Sequence, residues 1–406
     1  MDWSLKLSER AKNMKASVIR ELLKRTGDPE VISLSGGYPD SKHFLIEELA
    51  GITREVLLNP ETTHRCLQYS PTEGIEELRE LLVKIGKEEG IKSITIDNVI
   101  VTTASQQALF LAGIIFLDPG DTIIVEAPSY IGALQAFDLM QPNIWTVPLD
   151  NNGIKVDILE KRLREAAKKG VDIKFIYVIP DFHNPAGVTL SLERRYKIIR
   201  LSHRYEVPII EDDPYSKIRF KGRTLPSLVQ LDDISNIIAF RTFSKMLFPG
   251  LRLSEVIAAK EIIQKFVLAK QPADLCSPAF SQFIALEFIK RGYMEDYLRK
   301  VQKVYKEKRN TMLIALEKYF PKEVQWTTPD GGLFIWVTLP KHINADDLAE
   351  EAIEKAKVAF VMGSAFYPGG RNKNHLRLNF SMPDVQQIDL GIKRLGDLLK
   401  EKIARN

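Results

Sequence analysis

Cysteine is scarce in this chain: Cys66 and Cys276 are the only two in 406 residues. They form no CxxC pair, so neither a disulfide framework nor a thiolate metal site is encoded. The six histidines show no ligand spacing; His183, beside Asn184, reads as a packed or solvated turn residue. No run reaches the roughly 18 apolar residues that suggest a membrane span. The opening MDWSLKLSERAKNMK is charged throughout and lacks the apolar core of a secretion signal. Cytoplasm is the expected location. Net charge is only +4 with both signs interspersed, and no basic arm stands out, which argues against a nucleic-acid surface. No GxGxxG follows an apolar run, so the dinucleotide fingerprint is missing too. Repeats and low-complexity segments are also absent.

What is present is the make-up of an ordinary globular chain, with 45% hydrophobic and 27% charged residues. Its length suggests two or three structural units and burial of roughly three-quarters of the unfolded surface. Short Val/Ile-rich runs read as strands at 98–102, 122–126, 174–179, 207–211, 236–240 and 255–259. Amphipathic stretches at 105–117, 129–140 and 190–203 alternate with them, predicting an α/β layer around a mostly parallel sheet. A long helical pattern over 279–319 leads into a region with its own strands at 332–339 and 375–380 and a helix over 345–357.

Three strand ends carry chemistry. TFSKMLFPGLR (242–252) sets Lys245 beyond an apolar strand, with Thr242 and Ser244 beside it and Arg252 past a Pro-Gly turn. An amine for a carbonyl to condense with, plus hydroxyls and a guanidinium for a phosphate, suits a phosphorylated aldehyde, and pyridoxal phosphate is the candidate. EDDPY (211–215) offers Asp212 to a pyridine nitrogen and Tyr215, three residues on, to the ring's phenolic oxygen. HNPAG (183–187) presents the Asn184 amide to the same oxygen. Each match alone has an ordinary reading as a solvated loop; the three together do not. A fourth feature is an anion site. Thr102-Thr103 closes a strand and Ala104-Ser105-Gln106 opens a helix, whose free N–H groups favour phosphate, although Ser105 reads equally well as a plain N-cap.

With ISLSGGYPD (32–40), LQYSPTEGIEELR (67–79), ASQQAL (104–109), EAPSY (126–130), PDGGLFIWVTLP (329–340) and HLRLNFS (375–381) added, nine ordered motifs span nearly the whole chain. The sequence resembles a fold type I pyridoxal-phosphate-dependent aminotransferase of class I/II, in the branch of kynurenine, 2-aminoadipate and aromatic aminotransferases. The resemblance implies a large cofactor domain over 46–290, a small α/β domain over 291–406, and an N-terminal segment, 1–45, that joins the small domain and caps the site. It implies a homodimer in which Tyr69 reaches the phosphate of the neighbouring subunit. Tyr130 matches the aromatic that stacks on the ring, its alternative being an ordinary buried tyrosine. Arg377 matches the arginine that forks onto the substrate α-carboxylate, with help from Asn184. Gly36-Gly37 resemble the pair that closes over that carboxylate, or simply form a turn. Arg20, on a helix expected over 17–25, either meets a side-chain carboxylate or is solvated. The expected activity is transamination from an aromatic, kynurenine-like or 2-aminoadipate donor to a 2-oxo acid such as 2-oxoglutarate.

Arg241, Ser254-Glu255, Met362 and Ala104 depart from the family pattern, and Arg241 and Glu255 are expected to pair across adjacent strands. Two rivals stand beside the transaminase. A β-lyase on the same fold, splitting a C–S bond, would use the same Lys245, Asp212 and Arg377. A ligand-sensing regulator would carry a DNA-binding domain ahead of the ISLSGG motif, which begins here at residue 32, so an enzyme is expected.

Overall fold

The computed structural model describes residues 1–12, 14 and 28–404. The expected helix over 17–25, and Arg20 with it, lies outside the described residues. The first strand, β1 (Ile32–Ser33), is short and pairs in parallel with β12 (Val358–Ala359). Eight strands build the large sheet: β2 (Val99–Thr102), β3 (Thr122–Ala127), β4 (Asn143–Asp150), β5 (Gly153–Ile154), β6 (Ile173–Val178), β7 (Ile209–Asp213), β8 (Ile237–Thr242) and β9 (Ser254–Ile257). Their spatial order is β2-β9-β8-β7-β6-β3-β4-β5. From β8 through β4 all pairs are parallel, while β9 runs antiparallel to both of its neighbours.

Parallel strands covered on both faces by helices read as continuous apolar runs. That is why IKFIYV and IIAFRT are buried almost throughout. Two strands of this sheet are absent from the sequence reading, the short β5 and β4, NIWTVPLD, which is mostly half-buried or exposed and carries Pro148 near its end. Its neighbour β5 is a two-residue hairpin partner at the sheet's edge, so one flank lacks the cover that gives an apolar signature.

A second, antiparallel sheet contains β10 (Gln325–Trp326), β11 (Phe334–Thr338), β14 (His375–Asn379) and β13 (Val361–Met362), in that order. The long helical stretch ahead of it is two helices, Ala279–Lys290 and Tyr293–Tyr319, divided at Gly292. Gly292 takes φ +76, a left-handed turn that glycine enters without strain. The last helix, Val385–Ala404, packs against Tyr293–Tyr319 and buries Ile388, Ile392, Leu395 and Leu399 along one face. Among the described residues, no helix is long and apolar enough to cross a membrane.

Arg241 and Glu255 face each other across β8 and β9, 3.7 Å apart, as the charge pattern implied. Arg241 also donates to Glu89 at 2.9 Å, and Lys217 bonds the same carboxylate.

Candidate active site

Chain ends of the parallel strands converge on a cavity of about 600 Å³ between the two sheets. Beyond β8 the Thr242 hydroxyl accepts from the Ser244 amide at 3.2 Å, tightening the turn that carries Lys245 inward. Lys245 Nζ donates to the Gly37 carbonyl at 2.6 Å. Burial, helped by the charges of Arg377 and Arg252, pushes this amine down to about 8.

Successive strand residues face opposite ways, and β7 shows the consequence. Asp212 is buried and lines the cavity. Its Oδ2 accepts from the Tyr177 hydroxyl on β6 at 2.7 Å, and its Oδ1 has no partner among the described residues. Burial raises this carboxyl to about 7, against the lowering effect of the Tyr177 bond. Asp213 turns away, accepting from the Ser216 amide at 2.9 Å and its hydroxyl at 2.6 Å. Tyr215 returns to the cavity, edge-on to Phe334, and burial holds its phenol well above the usual range.

Arg377 sits mid-strand on β14, buried, with its guanidinium carbon 4.1 Å from the Phe334 ring centre. Its Nη1 donates to Asn184 Oδ1 at 2.8 Å and its Nη2 to the Ser35 carbonyl at 2.7 Å, while Nε is unpartnered among the described residues. Asn184 follows β6 and is itself buried. Gly37 lies close under Phe334: a Cβ there would come 3.0 Å from Phe334 Cζ and press on that ring.

At the cavity's other end the helix Ala104–Phe116 begins directly after β2. Ala104 adopts φ +62, and the N-cap is Thr103, whose side chain makes no capping bond. Ser105 is therefore inside the first turn and not the cap. Ser105, Gln106, Thr242, Ser244 and Arg252 line this end together with Tyr130. The Tyr130 hydroxyl lies 3.4 Å from Gln106 Oε1. Of the residues anticipated from sequence, Tyr69 stands well apart: it is 77% exposed and does not line the cavity of its own chain, and Gly36, unlike Gly37, does not line it either.

Four contributors were missed. Tyr38 and Phe334 line the cavity, Ser35 braces Arg377 through its carbonyl, and Tyr177 holds Asp212. Phe334 had a signal, since it lies in a motif already noted. Tyr177 is hidden inside an apolar run, and a carbonyl contact such as that of Ser35 leaves no trace in side-chain identity.

The family model for aminotransferase class I and II matches residues 29–395. The chain belongs to that family. An aromatic-amino-acid aminotransferase from Thermococcus litoralis is 41% identical over all of this chain and 96% of its own. A kynurenine aminotransferase from Pyrococcus horikoshii, solved with PMP, KYN and KYA, superposes with a TM-score of 0.95 at 42% identity, covering 99% of this chain and 98% of the other. An α-aminoadipate aminotransferase from Thermus thermophilus, complexed with N-(5'-phosphopyridoxyl)-L-leucine, gives 0.91 at 38% identity with both chains fully covered.

This aminotransferase uses pyridoxal phosphate, and the cavity fits it. Three cations, Lys245, Arg252 and Arg377, face one carboxylate, Asp212, so the balance favours an anionic guest. The uncapped helix start lies among the phosphate-type donors, and the unpartnered Asp212 Oδ1 offers an acceptor within the same cavity.

Proposed function

We propose that this aminotransferase takes its amino group from an aromatic, kynurenine-like or 2-aminoadipate donor and passes it to a 2-oxo acid, with 2-oxoglutarate the expected acceptor. The observation that carries the reading is the meeting of the Lys245 amine, the free Asp212 Oδ1 and the unpartnered Arg377 Nε around one cavity. The names and high identity of the relatives support the donor class.

When bound, pyridoxal phosphate supplies an electron sink for the charge left at the substrate α-carbon. Lys245 would hold the cofactor at rest and, once released, carry the proton from the α-carbon through Nζ. Asp212 would keep the pyridine nitrogen protonated through Oδ1, while Tyr215 and Asn184 serve the phenolic oxygen. The backbone at Ala104, with Ser105, Gln106, Thr242, Ser244 and Arg252, would hold the phosphate, and Tyr130 would stack on the ring. Arg377, aided by Asn184 and the Gly37 backbone, would fork onto the α-carboxylate.

The exposure of Tyr69 supports its service to a neighbouring subunit, and hence a two-fold dimer. Mixing Lys245→Ala with Tyr69→Phe subunits puts both lesions in one site of the heterodimer and leaves the other intact. Activity should recover; its absence in well-mixed heterodimers returns Tyr69 to its own chain. The proposal also divides the chain into a cofactor domain over 46–290 and a small domain over 291–406 joined by 1–45. The pairing of β1 with β12 supports that division. Both cysteines are free, in keeping with a cytoplasmic location.

The test is a screen of amino acids against 2-oxoglutarate, following both the oxo product and glutamate. Release of pyruvate and ammonia without an acceptor would make the protein a β-lyase. The dicarboxylate arm of the screen also bears on Arg20. Arg20→Ala should lose about ten- to a hundredfold toward 2-aminoadipate, and little toward phenylalanine, if this arginine meets a side-chain carboxylate.

A further inference from the structure

Tyr177 is fully buried in β6, in the middle of the large sheet, yet it carries a hydroxyl that needs a partner. Its ring packs edge-on against Phe137, with centroids 5.6 Å apart, so packing holds the ring in place alongside the bond its hydroxyl makes. Parallel pairing sets Tyr177 opposite Ile210, and Asp212, two residues further along β7, shares that face. The hydroxyl therefore meets the Asp212 carboxylate from the side, donating to Oδ2 at 2.7 Å. One oxygen is taken and the other, Oδ1, is left unpartnered at the cavity.

We propose that Tyr177 is a positioning residue for the reaction, orienting the Asp212 carboxylate and holding it ionised so that Oδ1 meets the cofactor's ring nitrogen as an anion. The proposal rests on the assignment of Asp212 to that nitrogen. Two effects follow from the single bond. A hydrogen bond from the side restrains rotation of the carboxylate, so its free oxygen stays directed at the cavity. A hydroxyl donor also stabilises the charged carboxylate over its acid form, opposing the burial that favours protonation. Charge then stays separated, with the proton on the ring nitrogen and the negative charge on Asp212. Without the donor, the buried carboxylate would compete for that proton and the ring would lose its positive charge. Tyr177 itself stays protonated, because burial and the Asp212 charge hold its phenol well above the usual range.

Tyr177→Phe tests this, since it keeps the packed ring and removes only the hydroxyl. The holoenzyme would be loaded with cofactor carrying ¹⁵N in the pyridine ring, and the nitrogen shift read at neutral pH. The expected result is a shift toward unprotonated pyridine in Tyr177→Phe, with kcat lower by about ten- to a hundredfold and KM little changed. Asp212→Asn, measured alongside, should lose the protonated signal. A wild-type shift and kcat in Tyr177→Phe, with Asp212→Asn strongly altered, would overturn the proposal and reduce Tyr177 to packing. A protonated nitrogen in both variants would show that Asp212 does not serve the ring, and both assignments would fall.

Discussion

On one face of β7 and β8, Asp212 and Thr242 look into the large cavity; one residue away along each strand, Asp213 and Arg241 look the other way, toward Glu255 and Glu89. Both faces hold buried charge, but they hold it differently. Behind the sheet the charges answer one another: Arg241 lies between Glu89 and Glu255, Lys217 joins Glu89, and Ser216 closes off Asp213. At the cavity, Asp212 and Arg377 each keep one polar atom free. Glu255 Oε2 is unpartnered among the described residues as well, and burial raises that carboxyl to about 7 as it does Asp212, but Arg241 stands 3.7 Å from its other oxygen. Buried charge alone does not mark a site. Polar atoms left free beside a space large enough for a guest do.

The sharpest way to break this contrast is Lys245→Ala, which should abolish transamination and the cofactor's lysine-bound absorbance band. Borohydride reduction of the wild-type holoenzyme should label Lys245, and a labelled peptide from elsewhere would refute its role. Next in size is the pair on β7. Asp212→Asn should cut kcat by several orders of magnitude while Asp213→Asn stays near wild type; the opposite ranking would mean that the two faces have been exchanged. Arg377→Lys keeps the charge and loses the fork. It should reduce kcat/KM by about ten- to a hundredfold for every donor alike, and a loss confined to one donor class would place Arg377 on side chains instead. The smallest effect belongs to the rear face. Glu255 titrates higher in the folded chain than its ordinary 4.5, so its contribution to stability is full below that value and lost as pH rises to about 7. Glu255→Gln should remove that component, flattening the decline in denaturant stability across this window. An unchanged slope would mean that Arg241 keeps Glu255 ionised throughout.

Much of this was legible in the sequence where local chemistry and burial coincide. Lys245, Asp212 and Asn184 each follow an apolar run, so a strand reading placed them at strand ends and the parallel arrangement brought those ends together. The choice of Asp212 over Asp213 came from strand alternation and the step to Tyr215, and the cavity lining agrees with it. The pairing of Arg241 with Glu255 came from opposite charge on neighbouring strands. Harder to see were contacts whose partners are far apart in sequence. Tyr177 looks like any core aromatic until β6 and β7 are set in register, and Ser35 acts through its backbone. The antiparallel course of β9 was equally hidden, because a short buried strand reads the same in either direction.

The segment from Ile32 to Asp40 is bound to several parts of the molecule at once. Leu34 donates its amide to Ala359 and accepts from Asn379, Tyr38 accepts from Ser381, and Gly37 accepts from Lys245. Half-exposed Tyr38 projects its side chain at the mouth of the cavity from this otherwise tethered strap. Constraint and freedom are thus separated within a few residues. The backbone is committed to architecture, while the phenol at position 38 makes no hydrogen bond among the described residues. A substitution at position 38 therefore reshapes the edge of the cavity without breaking any of the backbone bonds that tether the strap.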